Sequence, residues 1–110
     1  MEPINVFLDD VRQAYPGWVL AKTADEVLAL LRAGGVVNLS LDHDLGMVET
    51  SPGIFKEDPR IPDGTWLVKQ MAREGLWPQN KPLVHSMNPP GAARMRHLID
   101  RYFQQKEENL

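Results

Sequence analysis

The sequence predicts an α/β domain in three layers, built on a parallel sheet of about four strands, and three observations lead there. Short, mostly apolar runs alternate with amphipathic helical stretches, the order that places parallel strands beside right-handed crossovers. The runs are rich in β-branched and aromatic residues, as expected of strands buried on both faces. Three of them end in polar clusters: Asp9 and Asp10 after INVFL, Asp42, His43 and Asp44 after VNLSL, and His85 after KPLV. In a parallel sheet those clusters converge at the carboxyl edge, where open α/β folds bind their ligands.

Ile4–Leu8 is the first strand. Residues 12–17 read as a loop or a single helical turn, ended by Pro16 and Gly17, and 18–22 as the second strand. Thr23, with Glu26 three residues later, forms a capping box that opens a helix carrying Val27, Leu28, Leu30 and Leu31. Gly34 and Gly35 stop it. Val36–Leu41 is the third strand. Residues 45–62 hold Pro52, Gly53, Pro59 and Pro62 among polar residues without a sustained period, so this long connection reads as a lid or a flexible insertion. Asp63 caps the next helix, over 64–73, where Leu67, Val68, Met71 and Ala72 make an apolar stripe closed by Gly75. Residues 83–85 are a short fourth strand. Asn88-Pro89-Pro90 then opens a last helix, on which Ala92, Met95, Leu98, Ile99, Tyr102 and Phe103 recur at intervals of three and four. Residues 106–110 read as a polar, frayed tail.

The chain of 110 residues suits one domain, and 43% hydrophobic with 25% charged residues is the balance of an ordinary globular protein. A net charge of -3 gives no reason for a broad nucleic-acid surface. The absence of cysteine excludes disulfides, thiolate zinc sites and cysteine nucleophiles. No apolar run approaches the ~18 residues of a membrane span, and no leader precedes the first strand, so a cytoplasmic protein is expected.

Carboxylates crowded at one sheet edge repel one another unless a cation or a shifted pKa relieves them. Asp9 and Asp10 point to opposite faces of their strand, so one is expected on a metal while the other holds a water or caps a turn. Asp42 and Asp44 share a face if the strand continues, which suits two oxygen ligands on one hard cation such as Mg²⁺ or Mn²⁺. His43 would point the other way, as a hydrogen-bonded structural imidazole. His85 can act as general acid or base. Ser86 can donate to a phosphate oxygen, Asn88 can cap the last helix where free amides attract anions, and Arg12 can clamp a phosphate with its planar fork. Trp18, Trp66 and Trp77 read as core or lid packing, and Arg94, His97 and Arg101 as plain surface.

The motifs LDD at 8–10, LD at 41–42, PDG at 62–64 and the Ser86 that follows the fourth strand resemble the response-regulator receiver fold, a flavodoxin-like sheet. The longer stretches LDDVR, SLDHDLG, DGTWLVKQM and VHSMNPPG are more closely similar to the receiver-derived group called cyclic-phosphate processing receiver domains. The likeness runs from Ile4 to about Phe103, and SLDHDLG together with HSMNPPG is its most specific part. It implies Asp9 and Asp10 as a metal-holding pair, Asp42 at the phospho-acceptor position and Ser86 at the small hydroxyl position. It adds Asp44, His85 and Asn88 as the distinctive polar residues of the cyclic-phosphate group. One departure is that no fifth strand, and no receiver lysine at its tip, follows the last helix, so a truncated sheet is expected and conventional phosphorelay is not.

The function expected from these readings together is a metal-dependent phosphoesterase acting on a cyclic phosphate, either a cyclic nucleotide or a 2',3'-cyclic phosphate RNA end. Asp9, Asp10, Asp42 and Asp44 would hold Mg²⁺ or Mn²⁺. His85, Asp42 and Ser86 would carry the chemistry, Arg12, Asn88 and His43 would contact the substrate, and 45–62 would close over it. The alternative expectation is a receiver-like domain that binds a protein or nucleotide without turnover.

Overall fold

In the computed structural model, which describes residues 2–58 and 60–108, the elements run β1 (Ile4–Leu8), β2 (Val19–Ala21), α1 (Ala24–Ala33), β3 (Val36–Leu41), β4 (Met47–Ser51), β5 (Ile54–Glu57), α2 (Gly64–Glu74), β6 (Leu83–Val84) and α3 (Pro89–Glu108). The main sheet has the order β2-β1-β3-β6 with every neighbouring pair parallel. This is the receiver-like, flavodoxin-like arrangement, in which strand order reverses at β1 and opens a ligand crevice between β1 and β3. Among the described residues no helix is long and apolar enough to cross a membrane.

Strand alternation sorts the sheet into two unlike faces. Val6 and Leu8 of β1 and Leu39 and Leu41 of β3 point into a core closed by Val27, Leu28 and Leu31 of α1, Leu67, Val68 and Met71 of α2, and Met95 and Ile99 of α3. The three helices pack in series on that side, α1 against α2 and α2 against α3. The other face carries Phe7, whose ring meets Tyr15 edge-on at 4.9 Å, and Tyr15 in turn meets Trp18 at 5.3 Å. There the covering layer is the β1–β2 connection instead of a helix. Nearer the amino edge, Asn38 bridges Asn5 and Asn80 through side-chain hydrogen bonds of 3.0 and 2.9 Å.

Capping fixes the helix starts. Thr23 Oγ1 accepts from the Glu26 amide, while the Glu26 carboxylate reaches back to the Lys22 amide, one residue beyond the usual box. A cap of this kind stabilises a helix by about 1 kcal/mol. Asp63 Oδ1 does the same for α2 by accepting from Trp66 N, and α2 closes at Gly75, whose φ of 67° is left-handed. The irregular reading of 45–62 gives way within that segment to a β-hairpin, with β4 antiparallel to β5 about a Pro52-Gly53 turn. The two strands are short and carry their apolar residues as adjacent pairs, Met47-Val48 and Ile54-Phe55, instead of in alternation, and so show little of the periodicity by which strands are recognised.

Gly64, the first residue of α2, marks the closest approach of helix and sheet. A Cβ there would stand 2.4 Å from the Asp42 carbonyl oxygen and 2.7 Å from the Met95 methyl group. Glycine to alanine in an exposed helix normally stabilises it by about 1 kcal/mol. Here the sign reverses, because the collision is with backbone in a packed interior. Gly64→Ala is expected to destabilise the protein by about 1–3 kcal/mol, read as a fall in the urea midpoint.

Candidate active site

The register of the sheet builds the site. Leu8 pairs with Leu41 and Leu41 with Val84, so the next residue on each strand, Asp9, Asp42 and His85, falls in one row across three neighbouring strand ends. The ladder continues into that row, since Asp42 N donates to Leu8 O at 3.1 Å and His85 N to Leu41 O at 3.0 Å. Neighbouring parallel strands lie about 4.8 Å apart, and by alternation all three side chains stand on the face that carries Phe7. One ligand atom from each lies within 4.8 Å of the others.

Each member of the row is held differently. Asp9 is buried, with Oδ1 accepting from the amides of Val11 and Arg12 at 2.9 and 2.8 Å and Oδ2 lying 3.2 Å from His85 Nε2. The His85 ring stacks on Phe7 with centroids 4.3 Å apart and planes 6° from parallel. Its Nδ1 is 2.7 Å from the hydroxyl of buried Ser40. In a neutral ring the carboxylate can only accept, so Nε2 carries the proton and Nδ1 accepts from Ser40. Arg12 donates from Nη1 to the His85 carbonyl at 2.9 Å and lies 3.8 Å from Asp9 Oδ2, tying the loop after β1 to the loop after β6.

Among the described residues, Asp42 accepts only from its neighbour's amide, His43 N, at 2.8 Å. Burial, followed by repulsion from Asp9, raises its pKa above the ordinary value of 3.8, against the opposing pull of the His43 amide, His85 and Arg12. The native state therefore holds this proton more tightly than the unfolded chain does. The contribution favours folding below the unfolded value and is lost as pH rises through the folded one. At neutral pH and without metal, Asp42→Asn is expected to melt at a higher temperature than the parent protein. The gap should shrink as pH falls towards 3.8, a trend that paired melting curves across pH would reveal.

The other residues singled out from the sequence lie around this row. Asp10 Oδ2 accepts from Gly46 N at 3.0 Å and so anchors the root of the β4–β5 segment. Asp44 Oδ1 receives His43 Nδ1 at 2.7 Å and Asn88 Nδ2 at 3.0 Å. Asp9, Asp10, Arg12, Asp42 and Asp44 all line one open cleft of about 200 Å³. His43 is buried away from that cleft, packed so closely on α3 that a Cβ on Gly91 would meet its ring at 2.5 Å. Its Nε2 has no hydrogen-bond partner among the described residues, and the nearest carboxylate oxygen, on Asp63, is 3.6 Å away. Ser86 Oγ accepts from Asn88 N, and Asn88 Oδ1 caps α3 by accepting from Gly91 N. These two shape the turn into α3.

Ser40 has no place among the residues picked out from the sequence, yet it holds the ring nitrogen of His85. Its signal was the two-residue spacing from Asp42, which puts both side chains on one face of β3. Two carboxylates and an imidazole within one cation's reach, with one carboxylate disfavoured as an anion by burial and then by the other, form a set suited to a divalent metal. A family model described as the cyclic-phosphate processing receiver domain matches residues 4–101. No curated protein and no solved structure matches the chain.

Proposed function

As the chain belongs to the family of cyclic-phosphate processing receiver domains, we propose that it is a metal-dependent phosphoesterase that opens a cyclic phosphate, either a cyclic nucleotide or a 2',3'-cyclic phosphate at an RNA end. The observation that carries this reading is the in-register row of Asp9, Asp42 and His85, whose two carboxylates line an acidic cleft together with Arg12. Asp9 and Asp42 would hold Mg²⁺ or Mn²⁺ with the His85 imidazole in reach, where the cation supplies neutralisation of phosphate oxygens and activation of water.

The protein's own groups do the rest. Hydrolysis adds water to phosphorus, breaks one ring P–O bond and leaves a monoester beside a free hydroxyl. The departing oxygen needs a proton, and His85 Nε2, 3.2 Å from the Asp9 carboxylate that lines the cleft, would supply it. Stacking on Phe7 and the bond to Ser40 keep the ring from turning, which is the orientation a proton donor requires. Arg12, already fixed by the His85 carbonyl, is placed to face a phosphate oxygen. The hairpin segment, rooted at Gly46 on Asp10, would close over the substrate.

A second reading, a binder without turnover, is favoured by one feature: both ring nitrogens of His85 already face protein groups. The two are separated by incubating the protein with 2',3'-cyclic nucleotides and with a cyclic-phosphate-ended RNA, in Mg²⁺, Mn²⁺ or chelator. Both readings expect the metal to raise the melting temperature. Only the first expects the ring to open.

A further inference from the structure

Val11 and Met87 are the most exposed large hydrophobic residues among those described, at 81% and 80%, and both line the acidic cleft. Isolated apolar side chains on a surface are ordinary. Two at one cleft mouth, from the two loops that Arg12 ties together, are not scattered. The cleft itself, at about 200 Å³, is smaller than the roughly 300 Å³ at which pockets begin to enclose whole ligands. It has room for a phosphate ring and its surroundings, so the remainder of any larger substrate must lie on the rim, where these side chains stand.

We propose that Val11 and Met87 form a nucleobase-binding rim, so that the substrate is a nucleotide unit whose base lies on these two side chains while its cyclic phosphate occupies the cleft. The proposal rests on the phosphoesterase reading for the phosphate end and deepens it at the other. An aliphatic side chain and a polarisable thioether give a flat aromatic ring apolar contact, and methionine sulfur packs favourably against such rings. Neither offers a hydrogen bond to a base edge. The rim therefore distinguishes a base from no base, and distinguishes poorly among the four bases.

The test compares adenosine 2',3'-cyclic phosphate with glycerol 1,2-cyclic phosphate, which carries the same five-membered phosphate ring without ribose or base. Affinities for the Mg²⁺-loaded protein are measured by calorimetry and ring opening by phosphorus NMR. The nucleotide is expected to bind roughly tenfold more tightly or better. That advantage should fall to about one in the Val11→Ser, Met87→Ser double variant, whose altered side chains are too exposed to threaten the fold, as an unchanged melting temperature would verify. Equal affinity for the two ligands in the parent protein, or an advantage that survives both substitutions, overturns the rim. Base-dependent binding without ring opening upholds the rim and removes the phosphoesterase reading instead.

Discussion

Asp42→Asn is expected to slow ring opening by about a hundredfold or more and to abolish the rise in melting temperature produced by Mg²⁺ or Mn²⁺. Among the described residues the side chain accepts a single hydrogen bond, from His43 N, which an asparagine oxygen can still accept, so the fold has no reason to change. What changes is charge. The cleft loses the carboxylate that burial and Asp9 have made least comfortable as an anion, and with it the strongest electrostatic reason to take up a cation. A variant that is more stable without metal, indifferent to metal and inactive is the combined signature. It also shows a functional group kept at a cost to stability.

His85→Ala is expected to lower turnover by about 10²–10⁴-fold, the range of a general acid, and to destabilise the fold by about 1–3 kcal/mol. The second effect follows from what the ring touches. Its loss uncovers Phe7, leaves the buried Ser40 hydroxyl without its partner and removes a neighbour from buried Asp9. Ser40→Ala separates the two effects, because it keeps the imidazole and removes only its anchor. Turnover should then fall by about 10–100-fold, since the tautomer is no longer held. A rate loss in His85→Ala no larger than in Ser40→Ala would mean that His85 does not handle the proton.

Strand ends were the most legible part of this chain, and the row they form explains why. A buried strand shows itself by apolar residues, and a polar residue at its carboxyl end marks where burial stops, so Asp9, Asp42 and His85 could be placed at one edge without knowledge of the pairing. Register then put them side by side. Residues one or two steps further on were much less legible. Alternation ceases once the strand ends, so expecting Asp44 on the face of Asp42 relied on a strand that stops at Leu41. Where the loop turns decides instead that Asp44 meets His43 and Asn88, that Asp10 holds Gly46, and that Ser86 closes a turn. Ser40 went unnoticed for the opposite reason. Inside a strand a serine looks like tolerated filler, and only the neighbouring strand's histidine gives it a partner.

The hairpin at 47–57 was hidden because its short strands carry their apolar residues as adjacent pairs and not in alternation. Its one local mark was the Pro52-Gly53 pair, a turn signal that also suits an unstructured loop. Thr23 and Asp63, by contrast, act through bonds three residues away, and such local chemistry can be read before the fold is known.

The most direct test of the central claim follows adenosine 2',3'-cyclic phosphate by phosphorus NMR in two parallel samples, one holding the protein with chelator and the other the Mg²⁺-loaded protein. The cyclic-phosphate resonance should persist in chelator and give way to a monoester resonance where the metal-loaded protein is present. A resonance that stays cyclic, with protein whose melting temperature shows that it has bound the metal, would contradict the enzyme and leave a metal-binding receiver domain in its place.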